Sequence, residues 1–518
     1  MRTESRGEWR AADSFSARMR MGRLCGERNS AYSYLLSLGF VLVLLPAVAC
    51  TAKEGASAPV GLGLVSSDTG GEDAHSQRVG SLEAGPERLE QARSGRWLMQ
   101  SFRFSNGLTA ILVEERSAPV LALQFWARAG SARDPEGGSG CAHFVEHMLF
   151  RASDAMKDGE YDRAMERHGM DPSAMTWFEY TTFYLKAPSW QLSDVLELEL
   201  ARWTAPIFSE ALVEAESDVL LRERAYRVDN NPEGILIERL WQLAFAEHAY
   251  RRSSVGGRED LQQISAETLR SFWKQHYRPA STAVVLVGDF ETQHALQLLE
   301  QSFGQIGRED AMPNELGTPL SAEQRCEPLP KSARAETVAM PIDTEMLLLG
   351  YPSPPAASRE SVALKLLNEA LFAPPFGLLY RELKLEKQWL AELEGWVGEF
   401  SCRSLWEIKL IMKEGVSHRE VRRTVLSTIS ALARDGLEPA LLERARKRLR
   451  LDFVVRRAEL DSLAEALGQA WVTSGRASSF FEYEAVLQSV GEAELRALAD
   501  DWLGASRLTE LLGVPHES

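Results

Sequence analysis

Two histidines four residues apart, His143 and His147, stand in the run CAHFVEHMLF that begins at Cys141. On a helix that spacing puts both imidazoles on one face, where they can grip a single metal ion. Glu146 shares the face. The order His-x-x-Glu-His inverts the more common zinc motif His-Glu-x-x-His, and both serve the same chemistry. Two neutral imidazoles and one carboxylate hold zinc and leave a fourth position for water, whose pKa then falls toward 7. A carboxylate beside that water acts as general base, taking its proton and passing it to a leaving amine. The competing reading is a polar helix face with two hydrogen-bonded histidines, since short motifs recur by chance.

Context decides between them. NGLTAILVEE from Asn106 and PVLALQFWARAGSARDPEGGSG from Pro119 lead into the histidine run. VEAESDVLLRERAYRVDNNP from Val213 and VGGREDLQQISAETLRSFWKQHYRPASTAVVLVGDF from Val255 follow it. Together these segments resemble the pitrilysin, insulin-degrading enzyme and mitochondrial processing peptidase family of zinc metallopeptidases, the inverzincins. The resemblance spans roughly residues 99 to 505 and is strongest in the first half. It implies that Glu223, 76 residues past His147, is the third ligand of one Zn2+ per chain. Glu146 would be the catalytic base. Glu216, two helical turns before Glu223, would be the acid that hydrogen-bonds beside the metal; the alternative is an exposed helix acid. The implied substrate is a peptide or unfolded segment enclosed between bowl-shaped halves.

The chain also departs from that family. SAMTWFEYTTFYL resembles the strand alongside which substrate adds, but Ser173-Ala174 stands where the family usually has Asn-Ala. Strand addition uses main-chain groups, so it would survive the change. Cys141 replaces a glycine or other small residue and reads as a small buried side chain. More seriously, GLLYRELKLEKQWLAELEG resembles the segment that carries an arginine and, seven residues on, a substrate-contacting tyrosine. Leu385 and Glu392 occupy those positions. Either a homologous partner subunit supplies the pair, or the chain has drifted toward a non-catalytic peptide-binding or assembly role.

These residues need a scaffold to position them. Around the histidine run, FRFSNGLTAILVEE and PVLALQFWARAG are strand-like, with a hairpin signal at Asn106-Gly107. Helical patterns run from Leu192 to Val228, and SAETLRSFWKQHYRPASTAVVLVGDF reads as a helix entering a buried strand. The second half repeats this programme: MLLLGYPSP and LWEIKLIM are strand-like, helices fill 417 to 503, and EAELRALADDWLGASRLTELLGV echoes the end of the first half. The expected fold is therefore α+β, with two homologous domains, each a mainly antiparallel sheet packed with helices. The zinc-binding domain is expected over 99–305, a proline-rich linker over 306–335 and the homologous domain over 336–518.

At 518 residues, 45% hydrophobic and 25% charged, the chain is of ordinary globular composition and long enough for several domains. Its formal charge of -16, with no basic stripe evident in the body, argues against a nucleic-acid partner. No GxSxG or P-loop pattern points to another hydrolase. Five scattered cysteines without CxxC pairs imply neither a cysteine zinc site nor a dense disulfide scaffold. Residues 1–49 read as a signal peptide, an arginine-rich flank followed by an apolar run ending in small residues, with Met19 or Met21 as alternative starts. Ala47-Val48-Ala49-Cys50 resembles a bacterial lipoprotein signal, in which Cys50 would be lipidated and anchor the protein to a membrane. An ordinary signal with a chance cysteine and an uncleaved transmembrane anchor are the alternatives. Residues 50–98 read as a flexible tether that would hold the folded part off the membrane, and the export signal implies the periplasmic side of a bacterial cell envelope.

Overall fold

The computed structural model describes residues 85–307 and 326–516; the expected signal peptide, Cys50 and most of the tether lie outside the described residues. The first sheet contains β1 (Glu87–Ser94), β2 (Trp97–Arg103), β3 (Thr109–Glu114), β4 (Val120–Ala127), β5 (Ser173–Thr176), β6 (Thr181–Pro188) and β7 (Thr282–Gly288). Their order is β1-β2-β3-β7-β4-β6-β5, antiparallel except for the β3/β7 pair. The second sheet contains β8 (Arg334–Met340), β9 (Met346–Ser353), β10 (Leu390–Val397), β11 (Ser404–Met412) and β12 (Thr509–Pro515), in the order β10-β11-β9-β12-β8. Its parallel pair is β8/β12. Strand for strand, β3-β7-β4-β6-β5 corresponds to β8-β12-β9-β11-β10, so the repeat read from the ends of the two halves extends to five strands of each, with β1 and β2 added to the first sheet.

In the first half the helices are α1 (Cys141–Met148), α2 (Glu160–Arg167), α3 (Leu192–Trp203), α4 (Glu210–Arg224), α5 (Pro232–Ala244), α6 (Arg258–Gln263), α7 (Ala266–His276) and α8 (Thr292–Gln301). The second half adds α9 (Arg359–Phe372), α10 (His418–Asp435), α11 (Pro439–Ala458), α12 (Leu460–Ser474), α13 (Ser479–Ser489) and α14 (Glu492–Trp502). The echoing segments are α7 running into β7 and α14 running into β12. Among the described residues no helix is long and apolar enough to cross a membrane.

Two features differ from the sequence reading and a third adds to it. The fold begins inside the stretch read as tether, because β1 pairs with β2 as a charged edge strand. Its residues alternate between exposed and half-buried, and an edge with so few large apolar groups looks like linker in composition. Second, the body does contain a basic segment: α11 carries seven arginines and lysines, whose side chains include Arg444 and Lys447 on its exposed face. Part of that charge is met locally, by Arg448–Asp452 and Arg450–Glu484 ion pairs. Third, Cys326 and Cys402 form a disulfide across 76 residues of sequence.

The halves are interlocked rather than merely joined. From the second half, α12 lays Leu463, Leu467 and Trp471 on the β4/β7 face of the first sheet, against Trp126 and Val285. From the first half, α5 lays Leu236, Leu240 and Trp241 on the second sheet, against Leu348 and Leu511. Each sheet thus completes its core with a helix lent by the other half, and residues 85 onward form one compact unit. Close approach at the first of these seams depends on Gly468, where a Cβ would lie 2.2 Å from the fully buried Trp126 indole. Gly468→Ala should therefore lower the unfolding midpoint, since overpacking of about 1–3 kcal/mol outweighs the roughly 1 kcal/mol gained in helix propensity. Urea unfolding followed by tryptophan fluorescence measures this, and a raised midpoint would contradict the packing.

Candidate metal centre

The histidine helix α1 is fixed at its start by Asp134, whose carboxylate accepts the N–H groups of Gly140 (2.7 Å) and Ala142 (2.8 Å). Burial pushes that carboxyl up to about 7, and in its ionised form it also suits the helix dipole. Gly140 (φ +98°) lies back to back with Gly256 (φ +92°), and a Cβ on Gly256 would come within 2.6 Å of the Gly140 Cα. That contact brings the neighbouring Val255 carbonyl to 3.5 Å from His143 Nδ1. A carbonyl facing Nδ1 favours the tautomer whose Nε2 is a free lone pair.

All of α1 is buried, and α4 packs beside it. Glu216 and Glu223 lie on the same face of α4, and both reach the histidines. Glu216 Oε1 is 2.9 Å from His147 Nδ1, so the opposite nitrogen of that ring is also turned inward. Glu223 then meets both inward nitrogens: Oε1 is 3.5 Å from His143 Nε2 and Oε2 is 3.5 Å from His147 Nε2. The ligand atoms of the three residues lie within 4.8 Å of one another. Those spacings are long for hydrogen bonds. They are close to the roughly 3.4 Å edge of a tetrahedron built on metal–ligand bonds of about 2.0–2.1 Å, so the residues present fit a zinc ion by geometry as well as by donor type.

Electrostatics treat the two rings differently. Burial pushes His143 down to about 4, leaving it neutral, as a ligand must be. Burial also opposes charge on His147, but the hydrogen bond to Glu216 and the nearby carboxylates of Glu223 and Glu146 prevail and raise it to about 10, so a metal ion would have to displace a proton from that ring. For Glu223 burial is likewise outweighed, here by His143, His147 and Arg227, which hold its carboxyl well below the usual range. Arg227 Nη2 lies 2.8 Å from Glu223 Oε1, and Arg151 Nη1 lies 3.4 Å from Glu216 Oε2.

Glu146 is buried at the same place, and burial raises its carboxyl above the ordinary range. The Thr176 hydroxyl donates to Glu146 Oε2 at 2.5 Å. Thr176 closes β5, the short strand that starts with Ser173 and Ala174. Among the described residues β5 pairs with β6 alone, so its other edge, beside α1, carries no strand partner. Cys141 is a free, fully buried thiol that burial pushes up.

The remaining two positions stand outside this group. Leu385 is half exposed on the π-helical turn Tyr380–Glu386. Glu392, on β10, lies 3.4 Å from Lys409, whose ammonium also pairs with Glu233 at 2.6 Å and Glu394 at 3.4 Å. Neither supplies an arginine or a tyrosine. Sequence reasoning missed Asp134, Thr176, Arg227 and the Val255 carbonyl. Arg227 was signalled by its i,i+4 spacing from Glu223, whereas the others act through contacts that only the fold creates.

Comparison with known proteins places these features in a family. Residues 110–257 match the description insulinase (peptidase family M16), and residues 263–449 match peptidase M16 inactive domain. Zinc protease PqqE of Helicobacter pylori is 25% identical over 373 residues, 71% of this chain and 82% of that protein. A mitochondrial-processing peptidase subunit beta of Lentinula edodes is 23% identical over 411 residues, 77% and 86% of the two chains. Among solved structures, a protease from Helicobacter pylori aligns with TM-score 0.76 at 22% identity, covering 80% of this chain and 99% of that one. The periplasmic protease PqqL from Escherichia coli aligns with TM-score 0.64 at 16% identity, over 82% of this chain but 48% of that chain. With both M16 matches in tandem and the duplicated sheet topology beneath them, the chain belongs to the M16 family of zinc metallopeptidases.

Proposed function

We propose that this chain is an exported zinc endopeptidase that hydrolyses peptides or unfolded segments and needs a homologous partner chain to complete its site. The observation that carries the reading is the convergence of His143, His147 and Glu223 on one point, beside Glu146 and the open edge of β5. His143, His147 and Glu223 would hold one Zn2+, which when bound would supply a Lewis acid and a water acidic enough to attack at neutral pH. Glu216 orients His147, and the Val255 carbonyl orients His143. Glu146 receives the proton of the water and returns it to the leaving amine, while Thr176 holds its carboxylate in place. Ser173 and Ala174 offer main-chain groups to the substrate backbone.

Export is supported by the Cys326–Cys402 disulfide, since such bonds persist in oxidising compartments. A similar solved protein, PqqL, is described as periplasmic. Lipidation at Cys50 would add a membrane anchor. The alternative, a non-catalytic peptide-binding or assembly protein of the cell envelope, draws on Leu385 and Glu392: a leucine cannot donate to a developing oxyanion and a glutamate disfavours one.

Three outcomes are expected. Glu146→Gln should abolish peptide cleavage while leaving about one zinc per chain, Glu223→Ala should lose the metal too, and Glu216→Ala should weaken zinc affinity by about 10- to 100-fold. Metal analysis and chelator titration of the purified variants read this out, and cleavage by Glu146→Gln would refute the assigned base. Mass spectrometry of the mature N-terminus should find an acylated Cys50; an unmodified chain starting elsewhere would exclude the anchor. Finally, because loss of one oxyanion donor typically costs about a hundredfold to a thousandfold, the zinc-loaded chain alone should cleave slowly and a zinc-free homologue carrying the arginine and tyrosine should restore the rate. Vigorous cleavage by the homogeneous chain alone would contradict the split site, and no cleavage with a bound partner would favour the binding-protein reading.

A further inference from the structure

Glu179 makes the polar contacts by which the second half of the chain meets the turn beside the site, and we propose that it is a positioning residue: by clasping the disulfide-bonded loop of the second half, it holds β5 ready for a peptide. The proposal rests on the reading of β5 as the peptide-binding edge.

Glu179 lies in the turn between β5 and β6, three residues after Thr176. Its carboxylate is packed between the halves. Oε1 accepts the Tyr250 hydroxyl at 2.6 Å, and Oε2 accepts the Ser401 N–H at 2.8 Å. The Ser401 hydroxyl donates to Oε1 as well. Ser401 belongs to the loop joining β10 to β11 and immediately precedes Cys402, which is bonded to Cys326. Next to Cys326, the Glu327 carboxylate accepts the N–H groups of Ala246, Glu247 and His248 at 2.7, 3.1 and 3.0 Å. Phe400 fills the space beneath, fully buried, with its ring 5.6 Å from Phe178 and 5.0 Å from Tyr250. The crosslinked segments therefore grip two loops of the first half at once.

Both gripped loops lead to the candidate metal centre. From the Glu179 turn the chain runs back to Thr176, which donates to Glu146. From Tyr250 it runs on to Val255, whose carbonyl faces His143. β5 has only four residues and one strand neighbour, so its own ladder constrains it weakly. A buried carboxyl that meets three donors at once tolerates little displacement, because each unmet group is costly. An edge that is already ordered binds an incoming strand more tightly than one that must be ordered on binding. In this arrangement the second half, although it carries Leu385 and Glu392, serves the site from behind.

The test uses the mature chain with Glu179→Gln, with Cys326→Ser and Cys402→Ser together, and with all three changes. Hydrogen–deuterium exchange over residues 173–181, which lie in the other half from Cys402, should accelerate about tenfold in each variant while α1 and the zinc content are unchanged. Peptide KM should rise about tenfold with kcat altered less than about threefold, and the triple variant should be no worse than the worst of the others, as coupled groups behave. If the serine variant does not fold, mild reduction of the folded wild-type chain should give the same acceleration at 173–181. Unchanged exchange there, or effects of Glu179 and the disulfide that multiply, would overturn the proposal. An unchanged KM despite faster exchange would overturn it too. Failure of the peptidase reading itself would look different: wild-type chain with zinc and partner bound would not cleave, while the exchange measurement would still report the clasp.

Discussion

The structure turns on a concentration of buried negative charge. Glu146, Glu216 and Glu223 surround two imidazoles in an interior where carboxylates are expensive to ionise unless a cation is close. Arg227 and Arg151 meet only part of the demand, one at Glu223 and one at Glu216. The pull of the carboxylates on His147 is strong enough to raise it to about 10 against its own desolvation. A divalent ion at the inward face of the rings answers the same demand more fully, and it does so where His143 is already neutral. The charge and geometry of the group thus suit a cation before any chemistry is considered.

The rest of the fold can be read as what keeps that charge cluster in place. α1 is positioned by Asp134 at its first turn and by the Gly140–Gly256 contact, which leaves no room for a side chain. α4 presents Glu216 and Glu223 two turns apart, so one rigid helix brings both carboxylates to the histidines. The exchange of α5 and α12 between halves ties both sheets into one unit, and the Glu179 turn brings that unity to the edge of the site. Precise sites are better carried on such packed elements than on free loops.

Much of this was legible in the chain because it is local. His143, Glu146 and His147 announce themselves by helical spacing, and the strand and helix sequence of each half follows from apolar runs and the Asn106-Gly107 turn. The α7–β7 and α14–β12 echoes exposed the duplication. What escaped reading was non-local or cancelled by context. Nothing in the spacing of Cys326 and Cys402 distinguishes a bonded pair from two lone thiols. β1 carries too few large apolar residues to look like a strand. Thr176, Glu179 and the Val255 carbonyl acquire their roles only when the fold brings distant segments together.

The central claim is that one zinc ion sits between His143, His147 and Glu223. It is tested most directly by anomalous diffraction from crystals of the zinc-loaded chain, recorded on both sides of the zinc absorption edge. The account predicts one strong peak at about 2.0–2.2 Å from Nε2 of each histidine and from a Glu223 oxygen, with Glu216 still on His147 Nδ1. A peak held by other residues, or none at this site in protein shown to contain zinc, would contradict it.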